Sequence, residues 1–583
     1  MKQEPKVPLR IGIHSGEVVW DDEGIYGHAV NIASRLESMA APGSILVSTK
    51  IREEVSNQPE LRFKSLGLFE LKNVPAPMEI LSVDHPDLIV DGSFSVEGKG
   101  KKLDASSSTK SSEDQNPTIS IAVLPFDDLS PGKDQEYFCE GMSDEIITDL
   151  SGLHQMRVIA RHSSSQLKGS SLTIEEIGVK LGVEFILTGS VRKAGENLRI
   201  TAQLVNASDN RQLWADKFQG TMEDIFDLQS SISKQIITSL DLQLNSKEEK
   251  QIDNRPIEDP RAYDAYLRAR REIFQMTVQS MEKAEYLIDQ AMELIGPNPI
   301  LIATKGQVHM SYIILGIKPD PIHLKIAEEC LEELKLLDPG SPYIYLLSGL
   351  LRYKQARIQE AADDLKKVLE LNPSNRDGLL YLGIVYLLAG QAAKAELLLE
   401  ELVEVDPLTA VNYIMPGYAK ACQGDLKSAV GHYWKAYKME PENPMLILMM
   451  GILPGRVEPP ETIIPILNNL EPMAPYHIFG RVARFLRLAL SGDKDEALKA
   501  GENSQLQHEA QWDEHAAWWM AGTYALLNEK DKALYWLEIS INLGNFNYPF
   551  LYKYDPFLEN LRNDPRFEKI MAQVKEKWES FRP

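Results

Sequence analysis

Asp21, Asp22 and Glu23 form an acidic trio of the kind that ligates divalent metals. They fall at the tip of a predicted hairpin, so no metal site is expected there. His162 stands beside Ser163 and Ser164, a base next to two hydroxyls. Adjacency in sequence defines no geometry between base and nucleophile, and a capping or loop role is expected. Cys139, Cys330 and Cys422 are far apart and lack CxxC spacing, which excludes a disulfide framework and a zinc site. Three buried thiols in a reducing cytoplasm are expected instead. Trp214 is expected in a core rather than as a ligand platform. Taken by themselves, Asn31 reads as a helix cap and Arg35 and Lys72 as solvated cations.

The elements that carry these residues come in blocks. The chain has 583 residues and a net charge of -23. That length suits three or more domains at roughly 100–200 residues each. The acidic balance repels phosphate backbones and argues against a nucleic-acid partner. No run is long and apolar enough for a membrane span, and no apolar signal core precedes the first strand, so a cytoplasmic protein is expected. Residues 1–86 alternate short apolar runs with turns around a helical stretch, Ala29 to Met39, an α/β pattern. Residues 87–117, rich in Gly, Ser, Lys, Asp and Glu, read as a flexible linker. Residues 118–245 form a second α/β block. Its strand Phe185 to Val191 should pair with Leu198 to Val205 across the turn at Gly195-Glu196-Asn197.

From 259 to 575 the pattern is helical and repeats internally. Pro339, Pro373, Pro407, Pro441 and Pro475 recur every 34 residues, as do Gly349, Gly383, Gly417 and Gly451, and Ala361, Ala395 and Ala429. Pro cannot continue a helix, and Gly and Ala let two helices approach. This spacing resembles the tetratricopeptide (TPR) family, which implies an all-α superhelix of stacked hairpins with a groove for helical peptides or chain termini. The tyrosines Tyr381, Tyr386, Tyr413 and Tyr418 fit either groove or core, with core favoured. The array is expected to be irregular before Pro339 and distorted near 453–475, where Ile463 takes the place of a small residue.

Three motifs in the first block resemble the C-terminal half of a class III adenylate/guanylate cyclase catalytic domain. They are Arg10-Ile11-Gly12-Ile13-His14-Ser15-Gly16-Glu17-Val18, Ile25-Tyr26-Gly27-His28-Ala29-Val30-Asn31-Ile32-Ala33-Ser34-Arg35-Leu36-Glu37, and Gly67-Leu68-Phe69-Glu70-Leu71-Lys72-Asn73-Val74. The resemblance implies that Asn31 orients a ribose, that Arg35, on the same helix face, stabilises charge on the triphosphate, and that Lys72 contacts phosphate. It also implies two aspartates holding Mg²⁺ or Mn²⁺, on strands N-terminal to everything seen here. Gly24 stands where adenylyl-selective members often carry Asp, so ATP and GTP are not distinguished. The second block resembles a TolB-like (FlgO-like) domain through Ile121-Ala122-Val123-Leu124-Pro125-Phe126, Glu136 to Met142, Val158 to Ser164, Leu187 to Arg192, Leu213-Trp214-Ala215 and Asp224-Ile225-Phe226.

The fold class expected is therefore multidomain: an α/β partial cyclase-type domain, an α/β TolB-like domain and an all-α TPR superhelix. The function expected is a bacterial-type cyclase-family signalling protein with a protein-interaction scaffold. Alone it is expected to be inactive and to need no cofactor, because the metal-binding half is missing; Mg²⁺ or Mn²⁺ enters with a complementary half. The alternatives are a non-enzymatic TPR adaptor and one half of a split cyclase, with another cyclase half or a homodimer as partner.

Overall fold

The computed structural model describes residues 9–15, 19–21, 24–26, 28–55, 62–71, 78–85, 88, 100–102, 119–195, 197–252, 257–314, 316 and 320–583. It divides into two compact units, Met1–Gln115 and Asn116–Pro583.

The first unit is a five-stranded sheet with a helix on it. The strands are β1 (Ile11–Ile13), β2 (Val19–Asp21), β3 (Gly24–Tyr26), β4 (Ile45–Ser48), β5 (Arg62–Leu71), β6 (Met78–Asp84) and β7 (Gly100–Lys102), with helices α1 (His28–Met39) and α2 (Thr49–Glu54). The main sheet runs β1-β4-β6-β5-β7, and β2 pairs with β3 as a separate hairpin. Ile32, Leu36 and Met39 recur at helical spacing on α1 and are buried with Leu46, Leu66, Phe69 and Ile80. β7 lies within the stretch expected as a linker. It pairs antiparallel with β5, Phe69 opposite Lys102; the rest of 89–118 lies outside the described residues.

The second unit opens with a mixed sheet. Its strands are β8 (Ile119–Val123), β9 (Asp127–Asp128), β10 (Met156–Val158), β11 (Phe185–Ala194), β12 (Asn197–Asn206) and β13 (Gln212–Thr221), ordered β10-β8-β11-β12-β13 with β9 beside β11. β10, β8 and β11 are parallel and β11–β12–β13 antiparallel. The expected hairpin forms: Ala194 faces Asn197, and Gly195 turns the chain at φ 62°, a left-handed conformation natural to glycine. Helices α3 (Glu136–Ser151), α4 (Arg161–Ser165), α5 (Ile174–Leu181), α6 (Ile225–Ser239) and α7 (Ser246–Ile252) accompany the sheet.

Helical hairpins follow, among them Tyr343–Lys354 with Ile358–Leu371, Arg376–Leu388 with Ala392–Val405, and Ile414–Cys422 with Leu426–Met439. The repeated glycines have a steric cause. A Cβ on Gly349, Gly383, Gly417 or Gly451 would come within 2.5–2.9 Å of Leu365, Leu399, His432 or Leu467 on the hairpin's second helix. Ala361, Ala395 and Ala429 are completely buried. The distortion near 453–475 is present: a short helix, Pro460–Asn468, carries Pro465 inside it between two 3₁₀ turns.

The sheet shares a core with the first helices of the array. Tyr263 and Tyr266 of the first array helix, Pro260–Phe274, are buried with Phe138, Met142 and Ile146 of α3 and Ile232 of α6. On the other sheet face, Leu408 of the array packs against the cluster of Ala122, Ile159, Leu181 and Ile186.

Candidate functional site

α1 carries two of the three site residues. It begins at His28, so Asn31 is inside the helix and the reading of Asn31 as its cap is corrected. Arg35 follows one turn later and is half-buried. Lys72 lies outside the described residues, as do Asp22 and Glu23 of the acidic trio; Asp21 ends β2 opposite Gly24.

Gly12 on β1 sets the position of α1. A Cβ there would lie 2.1 Å from the Glu37 nitrogen and 2.4 Å from the Ala33 oxygen, both backbone atoms of α1. Backbone on both sides leaves no rotamer to absorb the clash. Gly12→Ala is therefore expected to displace α1, and Arg35 with it, while Gly43→Ala, at φ 91° in a turn, strains only the loop. Hydrogen exchange of the α1 amides reads the difference; unchanged protection in Gly12→Ala would refute the close-packing argument. Beside β1, His14 Nδ1 and Ser48 Oγ hydrogen-bond at 2.8 Å.

Among the described residues, the only three potential metal ligands with donor atoms within 4.8 Å of one another are Asp513, Glu514 and His515, in the array. Glu514 is already held by Lys354 at 3.2 Å and by the Tyr353 hydroxyl, so this cluster is an internal ion-pair network. The described carboxylates of residues 9–102 form no such group.

The His162-Ser163-Ser164 run belongs to a joint between sheet and array. Ser163 Oγ donates to Asp406 Oδ1 at 2.6 Å and accepts from the Leu408 amide at 2.9 Å. The Ala160 amide donates to the Val405 carbonyl at 2.7 Å. Asp406, completely buried, also accepts from Arg376 Nε at 2.8 Å and from Thr409 and Asn412 at 2.9 Å each. Burial alone would raise its pKa, but Arg376 and Ser163 hold it below the usual carboxylate range. Burial, with Arg376 nearby, lowers the pKa of His162, which packs on Phe274. Ser163 is a docking hydroxyl, and nothing in sequence linked it to Asp406. Trp214 is half-buried at the core's edge beside Phe218. The three cysteines are buried free thiols; burial pushes Cys139 up to about 12 and Cys330 up to about 11.

The first-helix faces of the central repeats, where a partner groove was expected, are covered by the chain itself. Tyr418 stacks on Trp518 at 5.8 Å and meets Phe550 edge-on at 5.9 Å. Tyr386 meets Phe581 at 6.3 Å. Asn547 Nδ2 donates to the Leu387 carbonyl at 2.8 Å and contacts Cys422 Sγ at 3.2 Å. Tyr386 and Tyr418 are thus core; Tyr381 and Tyr413 are half-buried. No described helix is long and apolar enough to cross a membrane.

Comparison with known proteins agrees with the cyclase and repeat motifs. Residues 1–83 match the family described as adenylate and guanylate cyclase catalytic domain, and residues 352–414 match tetratricopeptide repeat. Residues 117–235 match a HilA/YgeH-like transcriptional regulator, second domain, a different description from the TolB-like one expected. A putative adenylate cyclase 3 of Rhizobium meliloti is 32% identical over 294 residues, 50% of this chain and 48% of that protein. An uncharacterised Mycobacterium bovis protein is 31% identical over 84 residues, 14% of this chain and 30% of that one. The chain thus spans less than half the length of these relatives. A TPR protein of Thermus thermophilus aligns over 32% of this chain and 94% of its own, at 19% identity and TM-score 0.26. A Rap protein complexed with competence and sporulation factor aligns over 55% and 100%, at 13% and 0.41. Residues 1–83 thus resemble a segment of the adenylate and guanylate cyclase catalytic domain family, residues 352–414 the tetratricopeptide repeat, and half of the chain is similar to a putative adenylate cyclase.

Proposed function

We propose that this is a signalling protein in which residues 1–86 supply the nucleotide-orienting half of a cyclase site, residues 118–245 act as a sensing or protein-binding module of TolB-like kind, and residues 259–575 hold a protein partner, all in the cytoplasm. The observation that carries it is the placement of Asn31 and Arg35 on α1, one turn apart, on a helix seated against β1 by Gly12. Asn31 would orient the ribose, Arg35 would hold charge developing on the triphosphate, and Lys72 would contact phosphate. The cyclase family generally uses Mg²⁺ or Mn²⁺; here those ions would be held by a cyclase segment that bears the two aspartates.

The test is cyclic nucleotide formation from ATP and from GTP with Mn²⁺. The full chain is assayed alone and with a cyclase segment that bears the two aspartates, beside Asn31→Ala and Arg35→Ala. Product only in the complemented parent, reduced at least 10²-fold in both variants, is expected. Product from the chain alone, lost in both variants, would overturn the divided site. No product under any condition favours the adaptor reading.

A further inference from the structure

Two carboxyls of α3, Glu145 and Asp149, face the junction between sheet and array. They are one helical turn apart, so if both are charged they repel. The Tyr266 hydroxyl donates to Glu145 Oε1 at 3.4 Å, and Ser233 Oγ of α6 donates to Asp149 Oδ2 at 2.9 Å. Tyr263 donates to Gln229 beside them at 3.2 Å. Tyr343 of the helix Tyr343–Lys354 closes the far side. The charged groups that face the pair are Arg270, Arg161 and Asp144, and both guanidinia are committed to Asp144: Arg161 at 3.1 Å and Arg270 by a shorter bond. Among the described residues neither Glu145 nor Asp149 has an ion pair of its own.

We propose that Glu145 and Asp149 form a proton-operated latch between the sheet and the helical array, shut when both hold protons and loosened when both are ionised. The latch joins α3, α6 and the helix Pro260–Phe274, which share one buried cluster. Burial pushes Glu145 up to about 7 and, with the charge of Glu145 adding to it, Asp149 up to about 8. Both folded values are raised above the ordinary ones of about 4. The latch is therefore strongest below about 4, and its stability is lost as pH rises through about 7 and then about 8. Above that it changes no further.

Hydrogen exchange on the full chain from about pH 5 to about pH 9, corrected for intrinsic rates, tests this. In the parent, opening of α3 and of Pro260–Phe274 is expected to rise by up to about 10²-fold per pH unit below the first ionisation, about tenfold between the two, and to level off above the second. Glu145→Gln and Asp149→Asn mimic the protonated groups, and each is expected to remove one tenfold step; helix Ala392–Val405 is expected to show neither effect. Infrared absorption of the parent gives a second reading: a protonated carboxyl band at about pH 6 that vanishes by about pH 9 and is diminished in each variant. Opening in the parent independent of pH, an unchanged slope in Asp149→Asn, or no protonated carboxyl at the lower pH would overturn the latch.

Discussion

Asp555→Ala is expected to lower the stability of the helical array by about 3–5 kcal/mol, because it leaves a buried guanidinium without a counter-charge. The Asp555 and Arg456 side chains are 0% and 1% exposed. Asp555 accepts from Arg456, from Trp518 Nε1 at 2.7 Å and from the Phe557 amide at 3.0 Å. Arg456 in turn lies over the rings of Trp518 at 4.8 Å and Phe557 at 4.0 Å. Burial draws the Arg456 pKa below its ordinary value, and Asp555 is the main group opposing that pull. Because the pair ties the distorted 3₁₀ turn Pro454–Arg456 to the closing segment Phe550–Leu561, its loss should expose the Tyr418–Trp518 stack. Denaturant unfolding followed by tryptophan fluorescence measures the change. Arg456→Met with Asp555→Ala should cost less than Asp555→Ala alone, since two apolar groups leave no orphaned charge. A single-variant loss under about 1 kcal/mol would place the pair among weak surface bridges and sink this account.

Asp406→Ala is expected to be nearly as severe, about 3–5 kcal/mol, by the same physics at a different place. It would leave the Arg376 guanidinium with Asp377 alone, at 3.0 Å, and remove the acceptor of Ser163, Thr409 and Asn412. The effect has a direction that a general core defect lacks: it should loosen the sheet's grip on the array at Ala160–Val405 before the repeats themselves unfold. Ser163→Ala alone should cost about 1–3 kcal/mol, since it removes both the donor to Asp406 and the acceptor of the Leu408 amide. A double-mutant cycle of Ser163→Ala with Asp406→Ala should show coupling of at least about 0.5 kcal/mol. Additive losses would mean that the hydroxyl and the carboxylate do not act on each other.

Much of the array was legible because its cause is local. Pro339, Pro373, Pro407 and Pro441 each follow a second helix by two residues, and the glycines that recur with them face a side chain of the partner helix. A packing contact repeated every 34 residues leaves a period in the sequence. The helix bearing Asn31 and Arg35 was likewise legible, from an apolar stripe at Ile32, Leu36 and Met39. What Gly12 does was not, because a close approach depends on where a distant helix comes to rest.

Leu337, Leu371, Val405 and Met439 mark the limit. They recur at the same step and read alike, each ending a second helix. Leu337, Leu371 and Met439 are 46%, 41% and 39% exposed, and Val405 is 0%. The sequence alone determined the element types, the repeat and the kinship of both ends of the chain, since these follow from short-range pattern and spacing. Only tertiary structure decided which repeat the sheet grips, that residues 513–583 cover the first-helix faces, and that Ser163, Asp406, Glu145 and Asp149 meet partners at a joint. Contacts between residues far apart in sequence leave no periodic trace, and a buried carboxyl reads in sequence like any exposed one until its neighbours are in place.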